Sequence, residues 1–539
     1  LVSVTDDKFD ELIEELVIEI FKRNPGYATY LGLHEWDHLV PDLSRESIKE
    51  YITFLKTFIR KLEELDETAL SGTRVIDYPV VLNNLKLQLV TLEEWPLWKM
   101  YPVGIETLGE LIFPLLIGEH LPVEHRVMAI ESRLKQMHKY VGNSIQAVDK
   151  PFKLWISYAL MAGKGLPALL ESVKALGKSA GSNELIDIAD SAKEMLSKYL
   201  SQVNDLLEKS SPGFKPIGKD LFKKILRLRF IDEDPDVLRK IGYEEADKYR
   251  SYMEKAAKDL GAKTIEEGLE VLTTARSYDM ESFKDLYAAV VDRIRAFIYT
   301  KGIVDLPAGE RIKLIDTPDY LKPVIPFAAY SPPETFSYTL RGLYFVTPPA
   351  SEEMLKHLSF YDILNTAVHE AYPGHHTQLV IAKLKSPILR RLLASSDFVE
   401  GWAHYTEELM LEEGLDDSPH YRLKVWHDAL WRAVRVYLDI ELHTMGLSYE
   451  EGVEKLSRDA YLPKQGAQGE VLRYTMTPTY QLCYNYGKRV IKGLREEVKK
   501  ILGQRYSNSL FHKLLLEEGN LPVNILRKLV IKKAKELAE

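Results

Sequence analysis

Apolar residues recur at intervals of three and four along most of this chain. Between Asp6 and Arg23 they fall at Phe9, Leu12, Ile13, Leu16, Val17, Ile20 and Phe21, one face of a helix that stops at Asn24-Pro25-Gly26. The same spacing predicts helices over 47–66, 79–92 and 125–142, with breaks at Ser71-Gly72 and around Pro114. Further helices are predicted over 144–177, 184–209, 235–260 and 264–299. The pattern then changes. Eight of the 26 prolines lie between Leu306 and Ser351, where apolar residues alternate through Arg311-Ile312-Lys313-Leu314-Ile315 and crowd together in Leu343-Tyr344-Phe345-Val346. Alternation of this kind predicts a small β-sheet inside a mainly α protein. The change of pattern suggests an N-terminal helical region over 1–300 and a second region over 301–539, with no internal repeat.

A chain of 539 residues that is 45% apolar and 28% charged can bury a large core. Its net charge of −9, with Lys and Arg interspersed among Asp and Glu, argues against a nucleic-acid partner. The lone cysteine, Cys483, excludes an intramolecular disulfide and is read with a reducing, cytoplasmic location. Residues 1–15 are acidic and amphipathic rather than signal-like, and no segment has the apolar length of a membrane span. No membrane partner is expected.

Chemistry concentrates just after the predicted sheet, in T-A-V-H-E-A-Y-P-G-H-H-T-Q from Thr366 to Gln378. A zinc peptidase needs two neutral imidazoles on the metal, a carboxylate to take a proton from water, and an open coordination position. His369 supplies a first ligand and Glu370 a base, but the position one helical turn later is Pro373. Pro373 cannot continue the helix, and Gly374 allows whatever backbone path repairs it. A two-residue bulge at Tyr372-Pro373 would carry His375 to the place of the missing ligand, with His376 as the other candidate.

A literal H-E-x-x-H also occurs, His34-Glu35-Trp36-Asp37-His38. It sits between the turn signal Pro25-Gly26 and Leu39-Val40-Pro41-Asp42, which leaves almost no room for a helix holding both imidazoles. It is read as a decoy.

A third ligand is sought downstream, and Glu400 in Ser396-Asp397-Phe398-Val399-Glu400-Gly401-Trp402-Ala403-His404-Tyr405 is the best carboxylate on a helical stretch. Taken alone, Glu400, Glu407 and Glu408 read as solvated helix charges. The H-E-x-x-P-G-H-H motif, the E-G-W-A-x-Y-x-E segment and a late R-Y-x-x-x-P followed by Y-x-x-G resemble domain-of-unknown-function family 885, which is grouped with gluzincin-type zinc metallopeptidases. The resemblance runs from Ala28 to Gly487. The thimet oligopeptidase family is a more distant likeness: its H-E-F-G-H followed by D-F-V-E is similar to Gly374-His375 followed by Asp397-Phe398-Val399-Glu400. That resemblance implies His369, His375 and Glu400 as zinc ligands and favours His375 over His376. It also implies a helical shell around a cleft that takes short peptides, with the small sheet next to the metal-binding helix.

Later in the chain, Arg435, Asp439 and His443 recur at one helical turn, either as an ion-pair stripe or to aim an imidazole at substrate. Tyr480 and Tyr484 look like the tyrosines that the thimet oligopeptidase family presents to the scissile carbonyl. The resulting expectation is a zinc peptidase in which Glu370 is the base, Tyr484 and His443 stabilise the tetrahedral intermediate, and the strand from Gly342 to Thr347 pairs with the substrate backbone. The alternative is a helical binding protein that keeps a metal without hydrolysis. A di-metal carboxylate oxidase is disfavoured, because its two Glu-x-x-His pairs are not both present.

Overall fold

The first helix, Val4–Arg23, buries Phe9, Leu12, Leu16 and Phe21, the stripe its periodicity marks out. Pro25 then starts a new short helix, Pro25–Tyr30, because proline is accepted in a first turn, where its missing N–H has no helical partner. The computed structural model describes residues 4–275, 278–319, 321–322, 325, 327–393 and 395–539. They are mostly helical, with one small sheet. Helix boundaries follow the pattern closely in places, as in Arg45–Glu63 and Pro235–Asp259. They differ at Pro114, which lies inside Val103–Ile117, where its missing N–H removes one helical bond and the helix ends three residues later. The stretch read as one helix over 264–299 divides into Ile265–Thr274 and Phe283–Lys301.

The chain forms two units. The first is Leu1–Lys215 with Pro318–Val324 and Glu334–Tyr338; the second is Pro216–Thr317 with Ile325–Pro333 and Thr339–Glu539. The divide therefore falls near residue 215 rather than at 300. Its cause is packing: Pro235–Asp259 lies along Pro419–Thr444, with Tyr243 stacked on Tyr437 at 3.9 Å and Gly242 against Val436. Periodicity reports that a stretch is helical but not which helix it packs on. Among the described residues no single helix is long and apolar enough to cross a membrane.

Three strands in the second unit, β1 (Arg311–Asp316), β2 (Ala328–Ser331) and β3 (Arg341–Val346), pair in the order β1-β3-β2. β3 runs parallel to β1, with Leu314 opposite Tyr344, and antiparallel to β2, with Tyr330 opposite Tyr344. It is the central strand, its Tyr344, Phe345 and Val346 buried. With neighbours on both sides, β3 has no free edge, so the expected pairing of substrate with the strand from Gly342 to Thr347 is not available. A dense apolar run marks a strand buried on both faces, which is a central strand.

Pro419–Thr444 is buried on every side from Ala433 to His443 and forms the second unit's central column. Ser396–Glu412 crosses Cys483–Leu502 at Gly401 and Gly487. A Cβ on Gly487 would lie 1.8 Å from the Asp397 carbonyl oxygen, and one on Gly401 would lie 2.5 Å from the Gly487 Cα. The two glycines in E-G-W-A and Y-x-x-G thus let two helix backbones touch.

Candidate metal centre

The helix Phe360–Glu370 opens on a reciprocal cap between Ser359 and Asp362 and ends on His369 and Glu370. The Ala371 N–H still donates to the Ala367 carbonyl at 2.9 Å, and the Gly374 N–H turns back to Val368 at 3.0 Å. A new helix, His375–Lys385, begins at once, and the Tyr372–Pro373 peptide is cis. The expected bulge within one helix is instead a corner between two, because Pro373 offers no N–H to carry a ladder through. A Cβ on Gly374 would stand 1.8 Å from the His369 carbonyl oxygen, so the corner requires glycine. The Trp402 indole N–H clamps it, donating to the Pro373 carbonyl at 2.9 Å and reaching Gly374 at 3.3 Å.

The corner brings His375 back beside His369. Their rings meet edge to face with centroids 4.8 Å apart, and Glu400 Oε2 lies 3.4 Å from His369 Nε2 and 3.3 Å from His375 Nε2. Ligand atoms of His369, Glu370 and His375 all lie within 4.8 Å of one another. Tetrahedral donors bonded at 2.0–2.1 Å to one ion stand roughly 3.3–3.4 Å apart, the spacing found between Glu400 Oε2 and each imidazole.

Buried polar side chains orient this set. Glu407 Oε1 accepts from His369 Nδ1 at 2.7 Å, which leaves the Nε2 lone pair aimed at Glu400 and His375. Asn365 and His404 each stand 3.3 Å from Glu407 Oε2, and the Arg432 guanidinium is 3.8 Å from Oε1. The Tyr480 hydroxyl donates to Glu400 Oε1 at 2.9 Å, leaving Oε2 to face the imidazoles.

Electrostatics match the geometry. Burial would push the His369 imidazolium down, but the bonds to Glu400 and Glu407 reverse this and raise it to about 10. Burial raises the Glu370 carboxyl above its ordinary range despite His375 and His369, moving it toward the range of a general base. Burial also opposes ionisation of Glu400, but His375 and His369 outweigh it and hold that carboxyl well below the usual range.

His376 faces the other way. Its Nε2 bonds Glu310 at 2.8 Å, and its Nδ1 accepts from the Tyr330 hydroxyl of β2 at 2.7 Å. Glu310 also receives Arg295 Nε at 2.7 Å and the Tyr372 hydroxyl. Adjacent helical residues diverge by about 100°, so the two imidazoles serve different partners.

Tyr484 packs against Tyr480, ring centroids 6.0 Å apart, with the Arg435 guanidinium 4.8 Å from its ring centre. Burial and the nearby charge of Glu400 raise its phenol to about 12, so it stays protonated. His443 is turned elsewhere: buried, pushed down to about 4 by that burial, it bonds the Tyr474 carbonyl through Nε2 at 2.9 Å. Its expected role on the tetrahedral intermediate is replaced by a structural one. Arg435 likewise braces Tyr474 and Glu470, at 2.8 and 2.9 Å.

Sequence reasoning missed Glu407, which is buried rather than solvated, and Glu408, which pairs with Lys488 at 2.6 Å and with Lys492. Glu407 lies two turns after Glu400 and Asn365 one turn before His369, a same-face spacing that could have flagged both. The H-E-x-x-H at residues 34–38 forms turns, not a helix, so His34 and His38 do not make a helical ligand pair.

The model of the family described as "Bacterial protein of unknown function (DUF885)" matches residues 25–530. The chain belongs to this family. No curated protein matches this DUF885 chain. Two solved structures share its fold. One is described as "a putative lipoprotein of unknown function from Shewanella oneidensis", with a TM-score of 0.78 and 21% identity over 98% of this chain and 100% of that one. The other is "the putative lipoprotein from Colwellia psychrerythraea", with a TM-score of 0.86 and 18% identity over 99% of this chain and 100% of that one. At these identities the likeness shows the fold alone. The cytoplasmic reading is withdrawn, because both neighbours are described as putative lipoproteins. The lone cysteine was a weak guide to compartment, because a chain with one thiol forms no intramolecular disulfide anywhere. Neither neighbour is described as a hydrolase, a protease or a gluzincin.

Proposed function

We propose that this DUF885 chain is a zinc-dependent peptidase of the gluzincin type, cleaving short peptides. The observation that carries the reading is the approach of Glu400 Oε2 to His369 Nε2 and His375 Nε2 at 3.4 and 3.3 Å, beside the half-buried Glu370 carboxyl. These three residues would hold Zn²⁺, and two imidazoles with one carboxylate are a donor set that suits it. Bound there, the ion would supply Lewis-acid polarisation of the scissile carbonyl and acidify water.

The chain's own groups do the rest. A Glu370 carboxylate oxygen takes a proton from the attacking water and returns it to the leaving amine nitrogen. Glu407 holds the His369 Nδ1–H, and Tyr480 holds Glu400 Oε1. The Tyr484 hydroxyl, still protonated at neutral pH, donates to the developing oxyanion; losing one such donor costs about 3 kcal/mol of barrier. The preference for short peptides rests on the resemblance to the thimet oligopeptidase pattern.

The test is Glu370→Gln, which keeps the ligand set and removes the proton acceptor. Zinc-loaded wild type should cleave members of a peptide library read by mass spectrometry. The variant should hold as much zinc and lose at least a thousandfold in rate. Unchanged peptide with zinc-loaded wild type would instead support the non-hydrolytic reading, and near-normal turnover by the variant would remove Glu370 from the mechanism.

A further inference from the structure

The stretch that mimics a zincin motif in sequence takes part in a different constellation in the first unit. His34 Nδ1 lies 2.9 Å from Asp37 Oδ2, and His125 Nε2 lies 2.8 Å from the same oxygen. The spacing that matters is therefore His34 to Asp37, three residues apart, with a histidine from the first turn of Val123–Lys135 completing the set. His38 is not part of it.

Asp37 is oriented for this role. Its carboxylate is 2% exposed, and its other oxygen, Oδ1, accepts from Thr29 Oγ1 at 2.5 Å. Arg133, fully buried, donates to Thr29 Oγ1 at 2.6 Å and stands 3.9 Å from Asp37 Oδ1. A carboxylate with one oxygen anchored from behind and the other facing two imidazoles is how ligating carboxylates are held. His34 belongs to a second group as well: its ring is 6.1 Å from that of His120, and His120 Nε2 is 3.2 Å from Glu334 Oε1. Ligand atoms of His34, His120 and Glu334 fall within 4.8 Å of one another, as do those of His34, Asp37 and His125. Two imidazoles and two carboxylates thus gather around the His34 ring. The His34 and His125 side chains are 23% and 38% exposed, so an ion reaches them from solvent without opening the core.

We propose that the first unit carries a second divalent-cation site, built by His34, Asp37 and His125 and flanked by His120 and Glu334, which takes Zn²⁺ or a metal of similar softness. Imidazole and carboxylate donors select this class over Mg²⁺ and Ca²⁺, which prefer all-oxygen sets. The two ring nitrogens hydrogen-bond the Asp37 oxygen at 2.8–2.9 Å, and an ion would spread them toward roughly 3.3–3.4 Å, a small outward shift for side chains of this exposure. The bound ion ties the residue 34–37 turn to the Val123–Lys135 helix, so its role is structural, and it is independent of the centre at His369.

The experiment counts metal on the full-length chain, stripped with chelator and titrated with Co²⁺ alone. Wild type should bind two equivalents and His375→Ala one. His375→Ala combined with His125→Ala should bind none, or bind at least tenfold more weakly. His38→Ala should change neither count. On the His375→Ala background, Co²⁺ should raise the melting temperature, and X-ray absorption should show a nitrogen and oxygen shell with two imidazoles; this reading needs no variant at the new site. An equivalent that survives His125→Ala on that background overturns the proposal, as does a His375→Ala chain that binds no Co²⁺. Should the His369 centre bind nothing, wild type would show one equivalent, lost in His125→Ala and kept in His375→Ala. The two readings therefore fail separately.

Discussion

On the proposed zinc reading, Glu407, bonded to His369 Nδ1 at 2.7 Å, sets how well His369 serves as a ligand. Replacing it with Gln keeps the shape and removes the charge. The Gln carbonyl can still accept from His369 Nδ1, but its NH₂ then takes the place of Oε2, 3.3 Å from the Asn365 amide nitrogen, donor against donor. Arg432, 3.8 Å from Oε1, loses a counter-charge in a buried setting. Two separable losses follow. Weakening an orienting partner of a ligand histidine costs about 10–100-fold in metal affinity, or roughly 1.4–2.7 kcal/mol. Breaking a buried charge network costs about 3–5 kcal/mol of folding stability. Glu408→Gln is the control: its carboxylate pairs with Lys488 and Lys492, so it should lower stability and leave metal affinity unchanged. Competition with a calibrated zinc chelator measures the first quantity and urea unfolding of the zinc-free protein the second. Equal zinc affinity in Glu407→Gln and wild type, within a factor of two, would refute the claim that the charge of this carboxylate strengthens His369 as a ligand. Equal losses in Glu407→Gln and Glu408→Gln would reduce the effect to general destabilisation.

Other outcomes follow from the same structure. His375→Ala should abolish zinc binding at the His369 centre, whereas His376→Ala should spare the ion and lower stability through Glu310; stoichiometry on a His125→Ala background isolates the effect, and the reverse result would mean the wrong imidazole has been chosen. Gly487→Ala should cost more than about 2 kcal/mol in a urea melt, because its Cβ would sit 1.8 Å from the Asp397 carbonyl oxygen and the helices must part. Burial alone would raise Glu470, but Arg435 and Arg473 draw it down from 4.5 to about 2. A depressed carboxyl stabilises the fold above its unfolded pKa, so the cost of Glu470→Gln should be largest at neutral pH, at most about 3 kcal/mol, and shrink as pH falls from 4.5 toward 2. Urea midpoints at several pH values would show it, and a pH-independent gap would count against it.

The sequence alone determined the elements whose cause is local. Phe9, Leu12 and Leu16 mark one helix face by spacing, alternation in Arg311-Ile312-Lys313-Leu314-Ile315 marks a strand, and Pro373-Gly374 marks the place where a helix must turn. That His369, His375 and Glu400 come together could be anticipated from residue types and spacing within two short segments. Everything that depends on which surfaces meet was left to the tertiary structure. The division near residue 215 follows from Pro235–Asp259 packing on Pro419–Thr444, and β3 lost its free edge when β2 paired with it. His443 shares a helix face with Arg435 but meets a backbone carbonyl, and Glu407 looks like any exposed glutamate until His369 arrives from another helix. His34 and His38 lie four residues apart in the chain, yet His34 finds its partners in Asp37 and His125 because the backbone there turns instead of coiling. A pattern of residue types fixes what a helix would present; only the packed backbone decides whether there is a helix and what stands opposite it.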